Sequence, residues 1–147
     1  MFKKMNTAIK MAGIAYEKNE VPIGAAIFKN NVLIAKAHNE CVSRNNSLAH
    51  AEILAIQKAI KKLNSSYLDE CEIYVTIEPC LMCMGAIINA RISKLVYGAY
   101  ESKTGFADSK VNIKNIYNCN NLQIYPGICE EQCARLMSDF FKLLRNK

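Results

Sequence analysis

The apolar positions of this chain change their spacing several times, and each change marks an element. Residues 5–18, MNTAIKMAGIAYEK, carry Met5, Ala8, Ile9, Ala12 and Tyr16 at helical spacing, which predicts an amphipathic first helix. "VPIGAAIF" and "NVLIAKAH" then flank Lys29-Asn30, with Asn31 opening the second run. Two apolar runs around a turn-forming asparagine pair predict a hairpin. "AHAEILAIQKAIKKL" returns to helical spacing, with Ile53, Ile56, Ile60 and Leu63 expected to face inward and lysines gathered at the C-terminal end.

"CEIYVTIE" reads as a buried strand. "PCLMCMGAIINA" reads as a helix opened by Pro79, where a missing N–H costs least. "SKLVYGA" is a further strand, followed by an irregular stretch from Tyr100 to Asn121 and a short last strand in "LQIYPG". "CEEQCARLMSDFFKLLRNK" closes the chain as an amphipathic helix ending in cations. The order α-β-β-α-β-α-β-β-α predicts an α/β fold with a mixed sheet covered by helices on both faces. The later β-α-β unit is expected to be parallel and right-handed.

The chain has 147 residues and no internal repeat or Pro/Gly/Ser linker, so a single domain spanning 1–147 is expected. No apolar run reaches the roughly 18 residues that cross a bilayer. The start, MFKKMNTAIKMAG, lacks a long apolar stretch and a small-residue cleavage site, and a cytoplasmic location is the expectation. The seven cysteines are then expected as thiols, most of them packed as small apolar groups. A net charge of +6 permits a polyanionic partner without requiring one.

Two cysteines stand apart from that expectation. Cys80 and Cys83 lie i and i+3 in the first turn of a predicted helix, so both sulfurs can reach one ion. A CxxC pair is equally half of a closed zinc site, a redox pair, or two core residues. The only histidines are His38 and His50, and His50 opens the preceding helix two residues before Glu52. Both helix starts follow extended segments, and sites of open α/β sheets form at that end of the strands. Two helix N-termini favour thiolates. His50, Cys80 and Cys83 therefore make a three-ligand zinc site with one open position, the catalytic pattern, whereas structural zinc is closed by four ligands. Glu52 beside it suits a proton carrier. A redox role would leave the pairing of His50 with Glu52 unexplained.

The pattern His50-Ala51-Glu52 followed by Pro79-Cys80-Leu81-Met82-Cys83 resembles the signature of the zinc-dependent nucleoside and nucleobase deaminases. The nearest likeness is to their bacterial tRNA adenosine deaminase branch. It runs through "EVPIGAAI", "AHAEILAI", "YVTIEPCLMCMGAIINARI", "YGAYESKTG" and "EQCARLMSDFFKLLR", which is nearly the whole chain. The resemblance implies a three-layer α/β/α sandwich of the cytidine deaminase type, with a central mixed sheet of about five strands. It implies a homodimer with one Zn²⁺ per subunit that converts the wobble adenosine of a tRNA anticodon stem-loop to inosine. His50, Cys80 and Cys83 would hold the metal and Glu52 would shuttle protons.

Asn39 matches the family asparagine that contacts the base, its alternative role being a turn residue after the second strand. Glu101, Lys103, Phe141 and Arg145 match the substrate-contacting regions. Lys103 is either a phosphate contact or a solvated loop lysine, and one of Phe140 and Phe141 is expected to serve the core. His38 is expected to be a packed or a surface histidine rather than a fourth ligand.

Three departures stand out. Asn46-Ser47-Leu48 replaces the family's Asp-Pro-Thr, with Asn46 or Ser47 expected to cap the helix. Glu101 replaces an aspartate, and the loop after Gly105 lacks the family's small residues. The rival reading within enzymes is a deaminase of a small base such as guanine or cytosine on the same zinc core. A non-enzymatic zinc-stabilised RNA-binding module would need a fourth ligand.

Overall fold

A computed structural model describes residues 1–146; Lys147, the last cation of the expected C-terminal helix, lies outside the described residues. The elements are α1 (Phe2–Glu17), β1 (Gly24–Lys29), β2 (Val32–His38), α2 (Ala51–Leu63), β3 (Cys71–Ile77), α3 (Leu81–Asn89), β4 (Lys94–Ala99), β5 (Gln123–Tyr125) and α4 (Glu130–Arg145), with one 3₁₀ turn at Ile113–Asn115. The sheet has five strands in the order β2-β1-β3-β4-β5. β1 is antiparallel to both β2 and β3, while β4 is parallel to β3 and to β5. This is the three-layer α/β/α architecture with a mixed sheet that the sequence predicts.

Alternation along the strands divides the core. Ala25, Ile27, Ile73, Val75, Leu95 and Tyr97 point to one face and pack under α2 and α3. Ala26, Phe28, Tyr74 and Val96 point to the other and meet Met5, Ala8 and Ile9 of α1 and Cys133 of α4. Burying an Ile or Leu fully contributes about 1.5–3 kcal/mol each, which makes these two layers the main source of stability. α1 lies close on the sheet because Gly24 has no side chain: a Cβ there would overlap the backbone of Ala8 and Ala12.

The hairpin turn is Asn30-Asn31, with φ of 51° and 65°. Both residues lie in the left-handed region that a two-residue turn of this hand requires, so Asn31 belongs to the turn and β2 begins at Val32. The burial of α2 also differs from expectation. Its inner face is Ala51, Leu54, Ala55, Ile56 and Ala59, while Ile53, Ile60 and Leu63 are half-buried. Small alanines bring α2 close to the sheet, and the larger side chains turn toward α3, where Ile53, Ile56, Ile60 and Ala86 line a groove.

Register fixes where the loops emerge. Gly24 pairs with His38 and Ala25 pairs with Val75, so β2 and β3 finish at the same end of the sheet. β2 and β3 are not neighbours in the sheet, because β1 lies between them. The loops leading to α2 and α3 still leave from one end.

Candidate active site

His50 is the N-cap of α2, in extended backbone (φ −71°, ψ 150°), and Cys80 is the N-cap of α3 (φ −77°, ψ 177°). Pro79 therefore precedes the cap rather than forming the first helical residue. Its carbonyl accepts from Phe106 N at 2.9 Å, which holds the segment extended. Neither Asn46 nor Ser47 caps α2. Asn46 Oδ1 accepts from Leu48 N at 2.9 Å and shapes the loop before the helix instead.

The two helix starts bring three ligand atoms together. His50 Nδ1 is 3.5 Å from Cys83 Sγ and 3.8 Å from Cys80 Sγ. The ligand atoms of His50, Cys80 and Cys83 all lie within 4.8 Å of one another, the one such group among the described residues. A tetrahedral zinc with ordinary Zn–S and Zn–N bonds has an S···N edge of about 3.6 Å. The trio fits that ion in donor type and in spacing.

Charge reinforces the fit. Hydrogen bonding from Cys83, together with His50, brings the Cys80 thiol down to about 4 despite its burial. Cys83 is pushed up because it donates to Cys80 and is itself buried. The Cys80 hydrogen bond raises His50. One sulfur is thus ready to ligate, and the other holds a proton that a cation between them would displace.

Glu52 lies in the first turn of α2, 3% exposed, and its Oε1 is buried without a hydrogen-bond partner. Burial pushes its carboxyl up, against weaker opposing effects of its own backbone N–H and of His50. A carboxyl held in that position, with one oxygen unpartnered, is placed to carry a proton. It stands outside the trio, as a proton carrier would, beside a site with three donors.

Asn39 follows β2 and is 6% exposed. Its Oδ1 accepts from Cys41 N at 3.3 Å and its Nδ2 donates to Val21 O at 3.5 Å, so its amide bonds within the loop. His38 is packed, with Nδ1 3.0 Å from the Asn39 carbonyl oxygen. Glu101 and Lys103 lie in the loop after β4, where Glu101 Oε1 accepts from Lys103 N at 3.0 Å. The Lys103 side chain is exposed.

Phe140 is buried and stacks edge-on to Tyr16, with ring centroids 5.8 Å apart, while Phe141 and Arg145 are exposed. Tyr16 lies at the end of α1 beyond the turn that packs on Gly24, so α4 reaches the end of the sheet from which the site loops emerge.

Two buried acids were not singled out by the sequence pattern. Glu20 (1% exposed) accepts from Val42 N at 2.9 Å and Ser43 N at 2.6 Å, tying down the loop between Asn39 and His50. Glu78 (2% exposed) does the same for the loop after β4. Burial pushes both carboxyls up, but the hydrogen bonds they accept outweigh it and hold both below the usual range. The available signal was an acid close to the end of a buried strand: Glu20 shortly before Gly24 in "EVPIGAAI", and Glu78 directly after Ile77 in "VTIEPC".

Comparison with known proteins agrees with this geometry. A family model described as MafB19-like deaminase matches residues 1–145. The tRNA-specific adenosine deaminase of Rickettsia felis is 44% identical over 144 residues, covering 96% of this chain and all of that protein. A solved structure from studies of A-to-I editing by tRNA:A34 deaminases at the wobble position superposes with a TM-score of 0.88 at 36% identity, covering 92% of this chain and 99% of that one. A guanine deaminase from Bacillus subtilis superposes less fully, with a TM-score of 0.64 at 37% identity over 67% of this chain and 63% of that one. The chain belongs to the MafB19-like deaminase family and, within it, to the tRNA-specific adenosine deaminases.

Proposed function

We propose that this chain is a single-domain, cytoplasmic, homodimeric enzyme that converts adenosine to inosine at the wobble position of a tRNA anticodon stem-loop. The observation that carries the reading is the orphaned buried Oε1 of Glu52 beside the converging donors of His50, Cys80 and Cys83. In this reading those three residues hold one Zn²⁺ per subunit. Bound there, zinc makes water a competent nucleophile at neutral pH.

Glu52 does the proton work. Its carboxylate takes one proton from the attacking water and delivers it to the adenine ring nitrogen, then takes the proton of the hydroxyl now on C6 and delivers it to the departing amine. Adenosine and water thereby become inosine and ammonia, and the carboxylate is regenerated. Its burial keeps bulk water from exchanging that proton during the reaction.

Asn39 borders the base pocket, its amide able to donate and accept along a purine edge. Glu101, Lys103, Phe141 and Arg145 contact the RNA, the two cations toward phosphate and Phe141 toward a base face. The net charge of +6 supports a polyanionic substrate. Support for the dimer comes from the groove between α2 and α3 lined by Ile53, Ile56, Ile60 and Ala86. No helix among the described residues is long and apolar enough to cross a membrane.

The reading is tested by offering zinc-loaded protein an anticodon stem-loop with adenosine at the wobble position, and free guanine and cytosine in parallel. Inosine is expected in the stem-loop and no ammonia from the free bases. Turnover of a free base with the stem-loop unchanged would select the small-substrate reading instead.

A further inference from the structure

Glu78 follows the last residue of β3 and stands two positions before Cys80. It forms no ion pair among the described residues, yet its carboxylate is saturated with donors. Oε1 accepts from Glu101 N at 3.1 Å and from the Ser109 hydroxyl. Oε2 accepts from the backbone N–H groups of Ala107 (3.1 Å), Asp108 (2.7 Å) and Ser109 (2.8 Å). Backbone bonds run alongside: Glu78 N donates to Ala99 O at 2.8 Å and Phe106 N to Pro79 O at 2.9 Å. Gly105 makes room for this cluster, because a Cβ there would overlap the Glu78 carboxylate.

An ionised carboxylate is the one side-chain group that accepts at both oxygens and donates at neither. Glutamine would turn an NH₂ against N–H donors whichever way it rotated. Aspartate, a methylene shorter, would leave part of the loop's amides unpaired in a buried place. The segment from Glu101 to Ser109 would otherwise be an irregular surface loop, free to take many conformations.

We propose that Glu78 is a positioning residue that locks the loop carrying Glu101 and Lys103 onto the Pro79-Cys80 segment, so that substrate-facing groups and the metal ligands move as one body. The proposal rests on the functional reading above and extends it to a residue that touches neither metal nor substrate. Its loss frees the loop, so substrate binding suffers more than the chemical step.

The test compares wild type, Glu78→Gln and Ser109→Ala by zinc content, amide hydrogen exchange over residues 101–109, and separate kcat and KM on the stem-loop. Glu78→Gln should keep one zinc per chain while the amides of Glu101 and residues 107–109 exchange at least about tenfold faster. KM should rise about tenfold or more with kcat within about threefold of wild type. Ser109→Ala, which removes a single donor, should shift both readouts less and in the same direction.

An unchanged KM with a still-protected loop overturns the proposal. So does loss of zinc in parallel with kcat, which would make Glu78 a support of the metal site alone. Should Glu78→Gln not fold, Ser109→Ala decides by the same criteria. A wild-type chain that leaves the stem-loop adenosine intact contradicts the functional reading instead. The loop's placement is then judged by exchange, where amides as fast in wild type as in an open loop overturn it.

Discussion

At the scale of single residues, the site depends on which of seven chemically identical thiols stand beside His50 at a helix start; Cys129 also opens a helix, α4, but lies outside the group. Cys71, Cys119 and Cys133 are buried too, but in the two core layers. Cys83 differs because His50 Nδ1 stands 3.5 Å away. Cys83→Ala should therefore weaken zinc binding by more than the roughly 10–100-fold typical of outer-shell partners, while Cys71→Ala retains metal; measured zinc affinity separates the two. The trio was legible because His50 and the cysteine pair each open a helix. Glu20 and Glu78 were not legible. Their partners are backbone N–H groups of loops whose paths no periodicity describes. Asn39 was legible as a polar residue after β2, but its bonds to Val21 and Cys41 show that it also shapes its own loop.

At the scale of elements, α1 is fastened to the sheet by Lys4, which meets Glu72 at 2.6 Å and lies near the rings of Phe28 and Tyr74. Lys94 meets the other Glu72 oxygen at 2.9 Å, so one carboxylate on β3 links α1 and β4. Burial pushes Glu72 up, but its hydrogen bonds to Lys4 and Lys94 outweigh it and hold the carboxyl below its ordinary value. A folded-state pKa below the unfolded one, about 4.3, adds stability that is present above that pH and lost as the pH falls through the folded value. Glu72→Gln should thus lower stability by about 1 kcal/mol at pH 7. Its deficit against wild type should shrink as the pH drops below about 4, as denaturant melts at both pH values would show. A deficit independent of pH would mean that packing, not charge, fixes α1. Element types followed from periodicity. The exact starts of α2 and α3 did not, because extended caps at His50 and Cys80 displaced the expected Asn46, Ser47 and Pro79 boundaries.

At the scale of the whole molecule, the antiparallel hairpin and the parallel β3-α3-β4 unit together set the geometry of the site. β1 separates β2 from β3, yet the register leaves their loops at one end, so residues thirty positions apart meet at that end of the strands. Sequence order gave the layers but not the strand order, since the pairing of β1 with β3 is a long-range contact that no local pattern encodes. In the proposed reaction Glu52, not the metal site alone, moves the protons. That role is tested most directly by one preparation of Glu52→Gln, assayed for zinc per chain and for the initial rate of inosine formation in the stem-loop. One zinc per chain is expected, with a rate lower by at least about 10²–10⁴-fold, the usual worth of a positioned general acid–base. A zinc-loaded Glu52→Gln enzyme that makes inosine near the wild-type rate would contradict it.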